Sequence, residues 1–140
     1  MMIFLKRILF VPLLLILSSA YCPAASTATE GDLLCAITEV IECNSVGDCQ
    51  ALSANDAGLP DFVSVDLVAG KVREATTVSI RETSFKVNSK VDGMTILSGV
   101  DGRRGWSAVL SEGNTRLTAS ISDEKAGFVV FAICRVQQQN

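Results

Sequence analysis

The chain has 140 residues, a formal net charge of −3, five cysteines, 49% apolar residues and no histidine. That length suits one ordinary domain, and the acidic balance argues against nucleic-acid or anionic-membrane binding, which needs a basic face. Without histidine, Ser-His-Asp and Cys-His nucleophile designs and histidine metal ligands are excluded.

In chain order, MMIFLKRILFVPLLLILSSAYCPAAS comes first. Lys6 and Arg7 precede an apolar run from Ile8 to Leu17 and then small residues, the layout of a secretory signal. The run is about half of the roughly 20 apolar residues a spanning helix needs. Cleavage after Ala20, Ala24 or Ala25 fits the small-residue zone. Residues 1–25 are therefore read as a cleaved signal peptide, and 26–140 as a single domain with loose N- and C-terminal tails. Tyr21 before Cys22 does not suit a lipobox, where a small residue is expected, so soluble export to the periplasm or medium is favoured over lipid anchoring. No integral membrane insertion is expected after cleavage. Loss of Lys6 and Arg7 leaves 10 basic and 15 acidic residues, a net charge of −5. Residues 21–70 hold eight acids and no Lys or Arg, whereas 71–140 hold ten bases and seven acids. Either the halves pair in the fold and mix these charges, or the surface is polarised toward a partner.

Four cysteines remain beyond Cys22, an even number in an exported chain, which points to disulfides. The segment 43-CNSVGDC-49 contains Gly47 and Asp48, both turn formers, so Cys43 and Cys49 can approach each other. Cys35 is then left to pair with Cys134, tying the domain's first element to its last. Zinc would want close Cys pairs or histidine, and a thioredoxin-like centre would want C-x-x-C; neither spacing occurs.

From Leu33 onward the chain reads as strands and turns. Residues 33–42 open the series, and a single short helix is expected at most, within 45–58. In 62-FVSVDLV-68, Val63, Val65 and Leu67 alternate with Ser64 and Asp66. Two further strands fall between 72 and 90. Asp92-Gly93 turns into 94-MTILSGV-100, 101-DGRRG-105 leads into 106-WSAVL-110, and 111-SEGN-114 leads into 116-RLTASIS-122. That last strand alternates cleanly, with Leu117, Ala119 and Ile121 on one face. The final strand, 128-FVVFAIC-134, is apolar on both faces and is expected to be central or covered. About eight short strands at this spacing predict an all-β fold, a small antiparallel β-barrel stapled by disulfides. Pairing the first strand with the last would close it and set Cys35 opposite Cys134. The strands are too short, the aromatics too few and outward residues such as Thr118, Ser120 and Ser122 too polar for an outer-membrane barrel.

Catalytic signals are weak. Residues 122-SDEK-125 have Ser-x-x-Lys spacing, but nothing nearby would desolvate Lys125. Asp61, Asp66 and Glu39 could in principle supply a carboxylate pair. The acidic stretch 55-NDAGLPD-61 lacks the calcium ladder, and GVDGRRG has no following helix to receive phosphate. The most informative polar feature is Arg103, Arg104 and Trp106, a cationic pair beside the single tryptophan. It could contact an acidic or sugar-like group; alternatively Trp106 plugs the barrel end and an arginine stacks over it.

Residues RGWS (104–107), LTASIS (117–122), GFVVFAIC (127–134), LPDFVSVDL (59–67) and VIECNSVGDC (40–49) together resemble a group of small exported bacterial proteins of unassigned activity. That resemblance covers most of the mature chain and implies no catalytic residues. Gly105-Trp106 departs from the lipocalin pattern, in which tryptophan lies two places after glycine in the first strand.

The expectation is a non-catalytic exported barrel that binds a small ligand or an envelope protein, through Arg103, Arg104 and Trp106, without cofactor or metal. The alternatives are an enzyme using only carboxylates and hydroxyls, and an inhibitor of a secreted enzyme that presents the 101–105 or 43–49 loop. The barrel interior separates them. A filled core favours an outer-surface partner, an apolar cavity favours a carrier, and a cleft with converging carboxylates favours an enzyme.

Overall fold

A computed structural model of the chain describes residues 32–75 and 81–137. The predicted signal segment, Cys22 and residues 138–140 lie outside the described residues. Nine strands follow one another: β1 (Leu33–Asn44), β2 (Cys49–Leu52), β3 (Phe62–Asp66), β4 (Lys71–Glu74), β5 (Glu82–Val91), β6 (Met94–Asp101), β7 (Arg104–Leu110), β8 (Arg116–Ser122) and β9 (Ala126–Val136). From β3 to β9 each pairs antiparallel with its successor; β9 pairs with β1, and β1 with β3. Eight strands thus close into a barrel. Glu112–Asn114 form a short 3₁₀ turn, and among the described residues there is no α-helix.

β2 lies outside the ring of eight. β3 covers one edge of β1 only from Leu33 to Ala36, which would leave the backbone groups of Val40–Cys43 open on that edge. β2 pairs with that stretch, Val40 against Leu52 and Cys43 against Cys49. This need for edge pairing explains why 45–58, where at most a short helix was expected, forms none. Residues 53–58 make a turn instead, in which the Ala57 N–H donates to the Ser53 carbonyl at 3.1 Å.

Alternation places one face of every strand inside. Leu33, Cys35 and Ile37 face inward on β1, and a bulge around Thr38 then shifts the phase so that Val40 is the next inward residue. The Thr38 hydroxyl donates to the Phe131 carbonyl across the irregularity. On β9 the inward residues Phe128, Val130, Ala132 and Cys134 are all buried. β9 is flanked by β1 and β8, as its apolar character predicts, but its outer face is not covered: Phe131 and Ile133 are exposed there. In a closed barrel a strand can have neighbours on both edges while one face still meets solvent.

Both disulfides join residues that stand directly opposite in the ladders. Cys35–Cys134 bridges the β1–β9 seam inside the barrel, with Cα atoms 4.0 Å apart. Cys43–Cys49 clamps the β1–β2 hairpin, with Cα atoms 4.1 Å apart. The hairpin is also held by Asn44, whose Oδ1 accepts from the N–H groups of Val46 and Asp48.

Candidate functional site

Small inward residues decide the interior. On β7 and β8, Ala108 faces Ala119, and on β8 and β9, Leu117 faces Ala132. These alanines leave room that larger side chains would fill, and a cavity of about 150 Å³ runs through the barrel. An eight-stranded barrel is wide enough to hold one small ligand where its side chains do not meet. The walls are apolar: Val65, Val72, Leu97, Leu117, Ile121 and Val130. The loop that leads into β3 adds Leu59 and Pro60 to the lining.

One end of this cavity is charged. The inward phase of four strands, carried to their ends, reaches Glu74 on β4, Arg81 just before β5, Asp101 on β6 and Arg104 on β7, all of which line the cavity. The signs alternate around the mouth. Register holds the members together: Val63 faces Glu74, the Glu74 N–H donates to the Arg81 carbonyl at 3.0 Å, and Asp101 faces Arg104. Arg81 Nη2 lies 2.5 Å from Asp101 Oδ2. Arg104 Nε lies 3.4 Å from Asp123 Oδ2, and its guanidinium sits 5.3 Å from the Phe128 ring centroid. The backbone N–H groups of Lys125 and Ala126 donate to Asp123, and with Arg104 alongside they hold its carboxyl below the usual aspartate value. Arg73, also on the lining, pairs with Glu82 at 2.8 Å and with Asp66 at 3.8 Å, so all three lining arginines have a carboxylate partner. Among the described residues, no ion pair or side-chain hydrogen bond engages the Glu74 carboxylate.

Trp106 belongs to the same wall. Its ring meets Phe85 edge-on, with centroids 6.2 Å apart, and its Nε1 is buried without a hydrogen-bond partner among the described residues. Of the three residues singled out from sequence, Arg104 and Trp106 share the cavity lining. Arg103 does not. It points away, with 82% of its side chain exposed, and pairs with Glu124 on the surface. The stacking partner of Arg104 is Phe128 rather than Trp106.

Other sequence candidates are dispersed. Ser122 and Lys125 are exposed. Asp66 accepts from the N–H groups of Val68 and Ala69 and pairs with Arg73 at 3.8 Å, so it works as a turn residue. Asp61 lies at the opposite end of β3, and Glu39 is exposed on β1. All four cysteines of residues 32–137 are committed to disulfides. The uneven charge is only partly mixed by folding: Asp66–Arg73 reaches across residue 70, whereas Lys71–Glu82, Arg73–Glu82, Arg81–Asp101, Arg103–Glu124 and Arg104–Asp123 all lie within 71–124.

Glu74, Arg81, Asp101 and Asp123 were not signalled by any motif. The signal that does reach them is phase: each sits two residues beyond an inward apolar or small residue, namely Val72, Thr83, Gly99 and Ile121. Comparison of the chain with family models, curated proteins and solved structures found no match.

Proposed function

We propose that the protein is an exported, non-catalytic β-barrel that binds a small, largely apolar molecule inside the barrel. The observation that carries this reading is the apolar cavity of about 150 Å³ with charged side chains at one end. Apolar cavities of that order stay dry and take up molecules of benzene size, and a few polar groups at a rim are the usual means of orienting a ligand. Export is supported by the N-terminal charge–apolar–small pattern and by two disulfides, which persist in oxidising compartments. The non-catalytic reading is supported by the lack of histidine and by the direction in which Asp123 is shifted, since a general acid at neutral pH needs a raised carboxyl pKa.

The test uses the single tryptophan as reporter. Titration with benzene or toluene should give a saturable change in Trp106 emission. Ala119→Leu, which adds bulk to the cavity wall, should abolish it while the fold persists by circular dichroism. Failure of every apolar probe to saturate the wild-type signal would reject the reading. Export is checked separately by the mass of the chain recovered from the producing cells, which should begin just after Ala20, Ala24 or Ala25.

A further inference from the structure

We infer that the barrel selects a cationic amphiphile, a compact aryl- or alkyl-amine whose apolar body fills the cavity and whose ammonium group meets Glu74. The inference rests on the cavity reading above and adds the class of head group. Its basis is the pairing of the charges on the lining. Arg81 is matched by Asp101, and Arg104 by Asp123 together with the face of Phe128. Glu74 is the odd member, a half-buried carboxylate on the cavity lining with no ion pair among the described residues. Arg73, the third arginine on the lining, is matched by Glu82 at 2.8 Å and Asp66 at 3.8 Å, so Glu74 is the one lining charge without an ion pair among the described residues.

An incoming carboxylate or phosphate would have to separate Arg73 from Glu82, Arg81 from Asp101 or Arg104 from Asp123, leaving an acid without its base. An ammonium group needs no such rearrangement. It would meet the Glu74 carboxylate on the cavity lining, where water is partly excluded and a charge pair is stronger than on an open surface. The apolar lining meanwhile demands a hydrophobic body, so a free inorganic cation is the wrong shape of ligand. The size of the space limits that body to about one ring or a short chain.

The experiment compares three probes of nearly equal shape by Trp106 emission: phenethylammonium, neutral propylbenzene and 3-phenylpropionate. Phenethylammonium should bind about five- to tenfold more tightly than propylbenzene at low ionic strength, with the anion weakest. The preference should shrink in high salt. Glu74→Gln, which keeps the shape and removes the charge, should bring the amine to parity with propylbenzene. Equal binding of amine and neutral probe by the wild-type protein, or an amine preference that survives Glu74→Gln, would overturn the inference and leave the cavity reading standing. No saturable binding of any of the three would overturn both.

Discussion

Gly99 on β6 stands directly opposite Trp106 on β7, and a Cβ added at Gly99 would lie 2.6 Å from the indole Cζ2 and 2.6 Å from the Ser84 carbonyl oxygen. The tryptophan occupies the volume that the missing side chain leaves, beside Phe85, which also pairs with Gly99 across the β5–β6 ladder. Gly99→Ala should therefore cost about 1–3 kcal/mol, as overpacking of a close-packed wall does, and should change the Trp106 emission. Denaturant unfolding followed by fluorescence checks both. A variant with wild-type midpoint and spectrum would mean that the indole does not rest on Gly99.

The two disulfides should differ in their stability contributions. Cys35–Cys134 closes a separation of 99 residues and Cys43–Cys49 one of six. By loop-closure entropy the first is worth on the order of 4–5 kcal/mol and the second about 2 kcal/mol. The paired variant Cys35→Ala/Cys134→Ala should lower the unfolding free energy more than Cys43→Ala/Cys49→Ala. Urea titration of both measures the difference, and the reverse order would be incompatible with a seam that depends on its bridge.

Neighbouring arginines should behave unequally. Arg103 and Glu124 form a solvent-exposed pair, and such pairs contribute about 0–1 kcal/mol. Arg103→Ala should leave stability and probe binding close to wild type. Arg104 lies over Phe128 and beside Asp123 on the cavity rim, so Arg104→Ala loses packing as well as charge. Combined with Trp106→Ala, which removes the fluorescent reporter, it should weaken binding of the apolar probes as measured by titration calorimetry; unchanged affinity would remove these two side chains from the site.

Stability should be level through neutral pH and fall in acid. The chain has no histidine to titrate near neutrality. Lys71 and then Arg73 hydrogen-bond to Glu82 and hold its carboxyl below the ordinary 4.5, and Asp123 is held below 3.8 by the Lys125 and Ala126 amides and by Arg104. A carboxyl depressed in the folded state stabilises above its unfolded pKa, and that contribution is lost as pH falls through the folded value. The melting temperature should thus begin to drop below about pH 4.5 and continue to fall in stronger acid. Glu82→Gln should lower the neutral plateau and make the acid decline shallower, a pattern that melting curves across the acid range would reveal.

Much of the barrel can be read from the chain because two regularities agree. The alternation in Leu117, Ala119 and Ile121 fixes an inward face, and the placement of Cys35 and Cys134 near opposite ends of the domain fixes which strands meet. The Asp92-Gly93 turn is equally legible: both residues have positive φ, 49° and 78°, as a two-residue hairpin of the type I′ kind needs. No helix forms in 45–58, where at most a short one was expected, because its residues serve an edge of β1 that β3 is too short to cover, a non-local demand with no local trace. The cavity was hidden for a related reason. Ala108, Ala119 and Ala132 look like ordinary small residues until the register sets Ala108 against Ala119. Arg103 and Arg104 look interchangeable as a pair, yet the phase set by Trp106 turns only Arg104 inward. Glu74 and Asp101 were passed over because they lie at strand ends, where alternation is usually not followed further.

The seam bridge changes what kind of object the chain is. With Cys35 bonded to Cys134, residues 35–134 form a covalent hoop rather than a strip rolled into a cylinder. A single peptide-bond cut in any hairpin tip within the hoop, such as Gly102–Arg103 between β6 and β7, would open the main chain without releasing a fragment. The nicked protein would remain one molecule, with new ends at that tip and every strand still tethered to its neighbours, until the disulfide was reduced.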